Sequence, residues 1–580
     1  MTDSRPADAA AEARRLYDRI RLASLASILV LLACTTGEPY LGVPQEFLTA
    51  FIFRCQDLLV VPAFVAVLLV VRPGLRSTGA MLDRPWWSSG WAIAVLTLLI
   101  VLICWTGHHI VFGGYDLSRD EQMANFDAAI YRSGEAVQPI PIWWRPYADA
   151  LNQLYIQPVG DHEAWVSNYL PVNAMARAAF GVVGLVDLTG PAFVGLGLLC
   201  LWSIAGRLWP EDPIARVVAP LFYLGSSQIV TAGMTAYAMN AHIGLNLLWL
   251  ALFLRGGRAG HGGAMLVGLL ATGIHQPLFH PLFVLPFFFM LATQRRWLTL
   301  TAYSAAYIAI GAFWAAWPVW ISAHGTLPIP RGAAPVGVGY IDRVLTVIGI
   351  HARTVVLMAM NLLRFVTWQH LLLLPLAMLG TVVGWRKDAV ARGLALGLLL
   401  PLVTVSFLVP YQGHGWGYRY LHGVIGNACL LATGGLLWLR ARGLDMARPM
   451  AWTSLASVSI MLPVHLVMAH RQAEPFRALD RAIAASPADI VIVDDTEAPF
   501  ARDLVINRPD LSNRPIRLLA RFTDVSALPR LCSKGSIGFV DWPRLSHIDA
   551  MFGITEPRKS TPHQQAIERA AAQAGCRIVH

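Results

Sequence analysis

The chain has 580 residues, of which 56% are hydrophobic and 14% are charged, and its mean hydropathy is +0.52. Soluble globular proteins carry roughly 25% charged residues, so this composition excludes an ordinary soluble enzyme and indicates a polytopic membrane protein. The net charge of +10 does not indicate a nucleic-acid partner, because the arginines lie in short loops between hydrophobic runs, where they act as topology signals.

About thirteen apolar runs have the length needed to cross a bilayer. The loops that should be cytoplasmic each carry at least two arginines, whereas opposite loops such as residues 234–240 and 411–417 carry none. Residues 1–21 carry arginines just before the first run, so we expect a cytoplasmic N-terminus and a retained first helix. The predicted spans are residues 22–36, 47–71, 90–106, 191–208, 214–232, 239–254, 263–279, 281–293, 298–322, 368–385, 393–410, 420–439 and 450–469.

This alternation leaves two large loops and the C-terminal tail on the outer side of the membrane. We expect a helical transmembrane domain over residues 22–470, with outer loops at residues 107–190 and 323–367. Residues 471–580 are expected to form a small outer α/β domain, because short apolar runs flanked by turn residues alternate there with a helical pattern.

The tail is also the one outer region with a pair of cysteines, Cys532 and Cys576. A disulfide between them is plausible if the tail lies outside the cytoplasm. The tail pattern predicts a helix over residues 561–574 and strands at the runs that begin at Ile490, Ile516 and Ile537.

Three carboxylates, Asp116, Asp120 and Glu121, follow directly on the third apolar run. Carboxylates placed where a membrane helix reaches the surface are costly to desolvate and usually mark a site. Ser118-x-x-Glu121 is a capping box, so residues 119–133 are predicted to form a helix. Capping is a sufficient structural role for Glu121, which leaves Asp120 as the main catalytic candidate and Asp116 as the alternative.

Charged residues elsewhere have simpler interpretations. Arg54 and Asp57 lie three positions apart within a span and are expected to pair with each other. Residues 341–366 form an amphipathic pattern too charged to span, so we place this helix on the outer membrane surface. Its arginines are expected to contact lipid headgroups, with a role at a donor phosphate as the alternative for one of them: Arg343, Arg353 and Arg364.

The outer face of this protein could support glycosyl transfer. Sugar transfer to a hydroxyl needs a base for the acceptor proton and a group that holds the leaving phosphate. Nucleotide sugars are absent from the outer side of a bacterial inner membrane, and the sequence has no nucleotide-binding motif. A transferase acting there would therefore use a sugar carried on a lipid phosphate.

Three motifs resemble the GT-C glycosyltransferases, in particular the lipid A aminoarabinose transferases and protein O-mannosyltransferase-like enzymes. Asp120-Glu121-x-x-x-x-Phe126-Asp127-x-x-x-Tyr131-x-Ser133-Gly134 resembles the start of their first outer loop. Asn168-Tyr-Leu-Pro171 resembles the segment that enters the next span, without the usual double proline. Gly417-Tyr-Arg-Tyr-Leu-His422 resembles a late Arg-Tyr-Leu-x-Pro segment, with Gly423 where proline is usual.

The resemblance implies a many-helix inner-membrane enzyme that transfers a sugar, with inversion, from a polyprenyl-phosphate donor to an extracytoplasmic hydroxyl of a glycan or glycolipid. Asp120, with Asp116 and Glu121 beside it, would supply the base. Tyr169, Trp144 and Trp165 would contact the acceptor or sugar, although Trp143, Trp144 and Trp165 could instead anchor the chain at the membrane interface. The donor phosphate or sugar would contact Arg419, His422, Tyr420, His275, His280, His414 and Arg353.

Other functions stay open at this stage. The histidines show no tight metal-ligand spacing, so a divalent metal is possible but no metal ligand is assigned. A secondary transporter or flippase should show internal repeats and broken helices near the bilayer midplane, and the sequence shows no repeat. A ligase that moves a whole lipid-linked glycan would also need arginine and histidine on the outer face.

Overall fold

The computed structural model describes residues 6–36, 47–75, 85–152, 156–327, 352–495, 499–540, 542–552 and 561–579. The chain divides into two compact units. Unit 1 comprises Met1–Gly107, Asp187–Trp314 and Arg343–Met468, and unit 2 comprises His108–Val186, Ala315–Asp342 and Ala469–His580.

Eight helical stretches within the described residues are long and apolar enough to cross a membrane. The prediction of a polytopic helical membrane protein is therefore confirmed. Helices suit a bilayer because they satisfy their own backbone hydrogen bonds within it. These stretches are Asp8–Thr36, Leu48–Val70, Gly90–Val111, Val186–Leu208, Trp297–Ser322, Ala389–Leu408, Arg419–Ala441 and Ala447–Ala484.

The five other predicted spans coincide with shorter helices. The run at residues 214–232 is divided, because one helix ends at Leu224, before Gly225, and the Ser226 hydroxyl caps the next by accepting from the Ile229 amide. The prediction of about thirteen full-length spans therefore exceeds the eight long ones that the described residues contain. The shorter helices are Ala215–Leu224, Ser227–Gly233, Met239–Arg255, Gly257–Thr272, Phe279–Thr293 and Leu373–Gly384.

Loops assigned to the same side of the membrane contact each other in unit 1. The strand Gly74–Leu75 pairs antiparallel with Leu444–Asp445, and both strands lie within arginine-rich loops assigned to the cytoplasm. Among the loops without arginine, the Tyr237 hydroxyl donates to the carbonyl of His414 over 3.0 Å. In both cases the loops that contact each other are loops that the arginine distribution assigned to the same side of the membrane.

The prediction that Arg54 pairs with Asp57 was wrong. Arg54 is exposed, whereas Asp57 is buried and forms a 3.2 Å ion pair with Arg364. Arg364 is 2% exposed on the helix Ala352–Thr367, so its assignment to lipid headgroups was also wrong. The remainder of the predicted surface helix, including Arg343, lies outside the described residues.

Unit 2 contains the first large loop as a structured element. The helix Arg119–Arg132, predicted from the capping box, is confirmed. An antiparallel sheet of three strands follows, and the helix Val172–Val182 comes after it. The order across the sheet is Gln138–Pro139, Ala164–Ser167 and Ile156–Val159.

The C-terminal tail forms a parallel sheet of four strands within unit 2. Its three predicted strands are confirmed, and the predicted helix is Pro562–Gln573. Cys532 and Cys576 are joined as a disulfide. The order across the sheet is Ile516–Leu519, Ile490–Val493, Ile537–Val540 and Ile578–Val579, and further helices are Leu528–Cys532 and Trp542–Met551.

The first loop and the tail share one hydrophobic core. Phe126 and Trp165 from the loop pack in the same cluster as Ile490 and Leu518 from the tail sheet. Trp165 is 1% exposed, and its indole nitrogen donates to the carbonyl of Pro509 over 2.9 Å. The assignments of Trp165 to a bilayer interface or a sugar ring were therefore wrong, because its faces are covered by protein.

Candidate functional site

The helix that carries the candidate base is fixed at its first turn by the predicted capping box. The Ser118 amide donates to a Glu121 carboxylate oxygen over 3.0 Å, and the Ser118 hydroxyl accepts from the Glu121 amide. This reciprocal pair satisfies two backbone donors that a helix start leaves without partners. Asp120 lies between these residues, in the turn where the helix dipole favours a negative charge.

Asp120 is oriented by a phenol from another part of the loop. The Tyr169 hydroxyl donates to one carboxylate oxygen of Asp120, and both side chains are half-buried. The amide of Tyr169 in turn donates to the Ser167 hydroxyl over 3.2 Å, at the end of a strand. The structure thus brings together Asp120 and Tyr169, which the sequence predicted in different roles.

Asp116 belongs to a second series of hydrogen-bonded side chains in the same loop. Asn125 donates to an Asp116 carboxylate oxygen over 2.6 Å, and its own amide oxygen accepts from Arg177 over 2.8 Å. Arg177 is 2% exposed, whereas Asp116 is half-buried. Both carboxylates proposed as the base are therefore oriented by neighbouring side chains.

Two buried carboxyls stabilise this region rather than face solvent. Burial, aided by the negative charge of Asp116, raises the pKa of Glu121 to about 8 against the lowering effect of the Ser118 hydrogen bonds. Burial also raises the pKa of Asp127 to about 7, against the lowering effect of hydrogen bonds from Ser167. Asp127 accepts from the Ser167 amide over 2.8 Å and from its hydroxyl over 2.5 Å, which connects the helix to the sheet.

Arg419, in unit 1, lies among aromatic rings. Its guanidinium carbon is 5.1 Å from the centre of the Tyr420 ring and 5.9 Å from that of Tyr237. Its backbone amide donates to the side-chain oxygen of Gln412 over 3.1 Å. Arg419 is half-buried, and its planar guanidinium is suited to two hydrogen bonds with a phosphate.

Two of the predicted histidines are buried in hydrogen-bonded positions of unit 1. His280 bonds through one ring nitrogen to the Asn246 side-chain oxygen over 2.7 Å and through the other to the Tyr307 hydroxyl over 2.8 Å. The Nδ1 atom of His422 lies 3.4 Å from the Gln228 side-chain nitrogen. His280 therefore has a structural role, because both of its ring nitrogens are engaged.

The other predicted histidines differ in exposure, since His414 is buried and His275 is half-buried. Within the part of the chain that the structure describes, the four predicted histidines do not form a group of three at metal-binding distances. These are His275, His280, His414 and His422. Sequence reasoning missed His242, which is 6% exposed and has no hydrogen-bond partner for either ring nitrogen among the described residues. Its apolar helix gave no signal for it.

The remaining predicted residues lie at the surface of their units. Trp144 is half-buried against the unit 2 core. The charged groups of Arg530 and Lys534 lie 5.2 and 4.8 Å from the ring centre of the neighbouring Trp143. Arg353 is exposed near the start of its helix.

Unit 1 also contains an apolar cavity of about 290 Å³. Its walls come from the helices that include Phe365, Leu373 and Leu398, and its polar lining is limited to Gln369 and Thr381. A cavity of this composition suits a hydrocarbon chain rather than a sugar, because it leaves hydroxyl groups without hydrogen-bond partners.

No family model and no curated protein matches this chain. The chain is similar to the crystal structure of ArnT from Cupriavidus metallidurans in the apo state, with a TM-score of 0.49 and 12% identity over 76% of this chain and 91% of that chain. It is also similar to ArnT from the same organism bound to undecaprenyl phosphate, with a TM-score of 0.40 and 12% identity over 84% of this chain and 90% of that chain. Likenesses at this identity do not assign an activity.

Proposed function

We propose that this protein is an integral-membrane glycosyltransferase of the GT-C kind. It transfers a sugar from a polyprenyl-phosphate donor to an extracytoplasmic hydroxyl of a cell-envelope glycan or glycolipid. The observation that carries the proposal is the half-buried Asp120 carboxylate, oriented by Tyr169 at the start of a capped helix. The apolar spans and the family resemblance of the surrounding motif support a lipid-linked donor.

In the proposed reaction, Asp120 accepts the proton of the acceptor hydroxyl as the hydroxyl oxygen attacks the anomeric carbon of the sugar. The bond between that carbon and the phosphate oxygen breaks, and polyprenyl phosphate leaves with the electron pair. Attack from the face opposite the leaving group inverts the configuration at this carbon. Tyr169 holds the Asp120 carboxylate in one orientation during this step.

Arg419 is proposed to bind the donor phosphate. An arginine-phosphate pair is charge-assisted, and hydrogen bonds to charged groups contribute about 1.5–3 kcal/mol each. Tyr420 and Tyr237 restrict the guanidinium by covering it, which lowers the entropy lost on binding. The apolar cavity that includes Gln369 is proposed to receive part of the prenyl chain.

A transfer assay tests this function. Purified protein in lipid nanodiscs is supplied with a radiolabelled polyprenyl-phosphate sugar, and loss of label from the lipid is followed for the wild type, Asp120→Asn and Asp116→Asn. Loss of a general base should slow turnover by about 10²–10⁴-fold. Glu135→Gln, which changes an exposed carboxylate in the same loop, is the matched control.

The outcomes separate the alternatives. If Asp116→Asn abolishes turnover and Asp120→Asn does not, the base is Asp116. If both variants turn over donor at the wild-type rate, neither carboxylate is the base. If the wild type consumes no lipid-linked sugar, and lipid vesicles reconstituted with it accumulate a solute, the protein is a transporter rather than a transferase.

A further inference from the structure

Two side chains on one helix of unit 1 hold the chain segment that leads to Arg419. Asn361 donates to the carbonyl of Pro410 over 2.8 Å. Arg364, one helical turn later, donates to the carbonyl of Gly415 over 2.6 Å and to that of Gly417 over 2.8 Å. Three carbonyls of a segment without regular secondary structure are therefore fixed from one helix face.

Each nitrogen of the Arg364 guanidinium donates a hydrogen bond. Its remaining nitrogen donates to Asp57 over 3.2 Å, and the Asp57 carboxylate also accepts from the Trp368 indole over 2.9 Å. Arg364 and Asp57 are 2% and 1% exposed, and the guanidinium carbon lies 5.1 Å from the Trp368 ring centre. A buried ion pair carries a large desolvation penalty, so hydrogen bonds to the carbonyls are needed to offset it.

The next carbonyl is held from a different helix. Gln228 donates to the carbonyl of Tyr418 over 2.9 Å, and its own side-chain oxygen accepts from Gln369 over 2.9 Å. Gln369 in turn accepts from the Ser226 hydroxyl over 2.7 Å. Gly417 adopts a φ of +65°, and a Cβ at this position would collide with the Gln228 side chain. Only glycine at position 417 therefore fits this hydrogen-bond network.

Asp57 reaches Arg364 from an irregular turn. It is the last residue of a π-helical turn, Phe53–Asp57, that interrupts an otherwise α-helical span. Such turns redirect side chains and occur often at functional sites. The chain thus departs from the regular helix at the place that supplies the counter-ion for Arg364.

We infer that Asp57 and Arg364 are positioning residues, which hold the segment from Pro410 to Tyr418 so that Arg419 is presented to the donor phosphate. Arg364 is not assigned to the phosphate itself, because its side chain is only 2% exposed and each of its nitrogens already makes a hydrogen bond within unit 1. The inference rests on the proposed role of Arg419. It adds a residue pair, more than 300 positions apart, on which donor affinity depends.

The first test measures the segment without measuring activity. Hydrogen-deuterium exchange of peptides spanning residues 411–419 is compared for the wild type, Asp57→Asn, Arg364→Lys and Asn361→Leu in nanodiscs. We expect about tenfold faster exchange of the Arg419 amide, since its bond to Gln412 depends on the fixed segment. Unchanged exchange in the folded variants overturns the inference, and Asn361→Leu decides if the charged variants fail to fold.

A matched control separates this effect from a general loss of packing. Ser454→Ala removes a buried 3.0 Å hydrogen bond to His370 in the same unit without touching the segment. Exchange at residues 411–419 should remain at the wild-type rate in this variant. Acceleration equal to that in Asp57→Asn would show that any buried polar deletion loosens the segment, which also overturns the inference.

The second test is a double-mutant cycle on the KM for the lipid-phosphate donor. Arg364→Lys and Arg419→Gln should each raise KM by about ten- to a hundredfold, and the double variant should be no worse than Arg419→Gln alone. Independent, multiplying effects would mean that Arg364 does not act through Arg419 and would refute the inference. If Arg419→Gln leaves KM unchanged while the exchange data hold, the proposed phosphate role of Arg419 fails. The role of Asp57 and Arg364 in holding the segment then remains.

Discussion

Glu121 should make the stability of the protein depend on pH in a way that a glutamine at this position removes. Burial raises the pKa of Glu121 from 4.5 to about 8. Between these two values the native protein holds a proton that the unfolded chain has released, so the free energy of unfolding falls as pH rises. The fall ends once the carboxyl is ionised in both states, above about pH 8.

The size of the effect follows from the shift. One pKa unit corresponds to about 1.4 kcal/mol, so the wild type should lose about 2 kcal/mol between pH 6 and pH 8 through this group. In Glu121→Gln this loss should disappear, while the amide still caps the Ser118 backbone. Asp127 and Asp503, whose pKa values burial raises to about 7 and about 6, titrate in both proteins and cancel in the difference.

Thermal unfolding in nanodiscs at several pH values provides the measurement. For a unit of about 200 residues, 2 kcal/mol corresponds to roughly 4–8 °C in Tm. The Tm of Glu121→Gln minus that of the wild type should therefore grow by this amount from pH 6 to pH 8. Glu135→Gln, on the exposed surface of the same loop, should leave the pH dependence unchanged. Parallel curves for the wild type and Glu121→Gln would refute the argument that the buried carboxyl is neutral at pH 7.

Other predictions concern single contacts. Alkylation of denatured protein should add two more groups after reduction than before it, measured by intact mass, because Cys532 and Cys576 form a disulfide; equal masses would contradict the bond. Ser167→Ala should lower the unfolding free energy by about 1–3 kcal/mol, because Asp127 loses a buried hydrogen bond; an unchanged Tm would contradict this. Leu398→Trp should raise KM for long-chain polyprenyl donors and leave a two-isoprene donor unaffected, and equal effects on both would exclude the cavity as the prenyl site.

Features that depend on near neighbours in sequence were predictable. Ser118 and Glu121 are three residues apart, so their capping box and the helix it begins could be inferred from the motif. The tail strands were equally predictable, because each is a short apolar run between turn residues, as at Ile490–Val493.

Features that depend on distant partners were not predictable. Asp57 has Arg54 within one helical turn, and nothing local indicates that its true partner is Arg364, 307 positions away. Trp165 was misassigned for a related reason, because an aromatic residue in an outer loop suits a protein core and a membrane interface equally well. Its partner Pro509 is 344 residues later in the chain.

The shared core of unit 2 has a consequence for biosynthesis. The helix that carries Asp120 is fastened by Arg119 to the carbonyls of Arg502 and Val505, more than 380 residues further along the chain. A nascent chain that has already inserted most of its helices therefore still lacks the partners that hold this helix in place. The helix with the candidate carboxylates gains these tail contacts only when the last fifth of the protein has been made, so we expect a chain cut short by premature termination to be inactive.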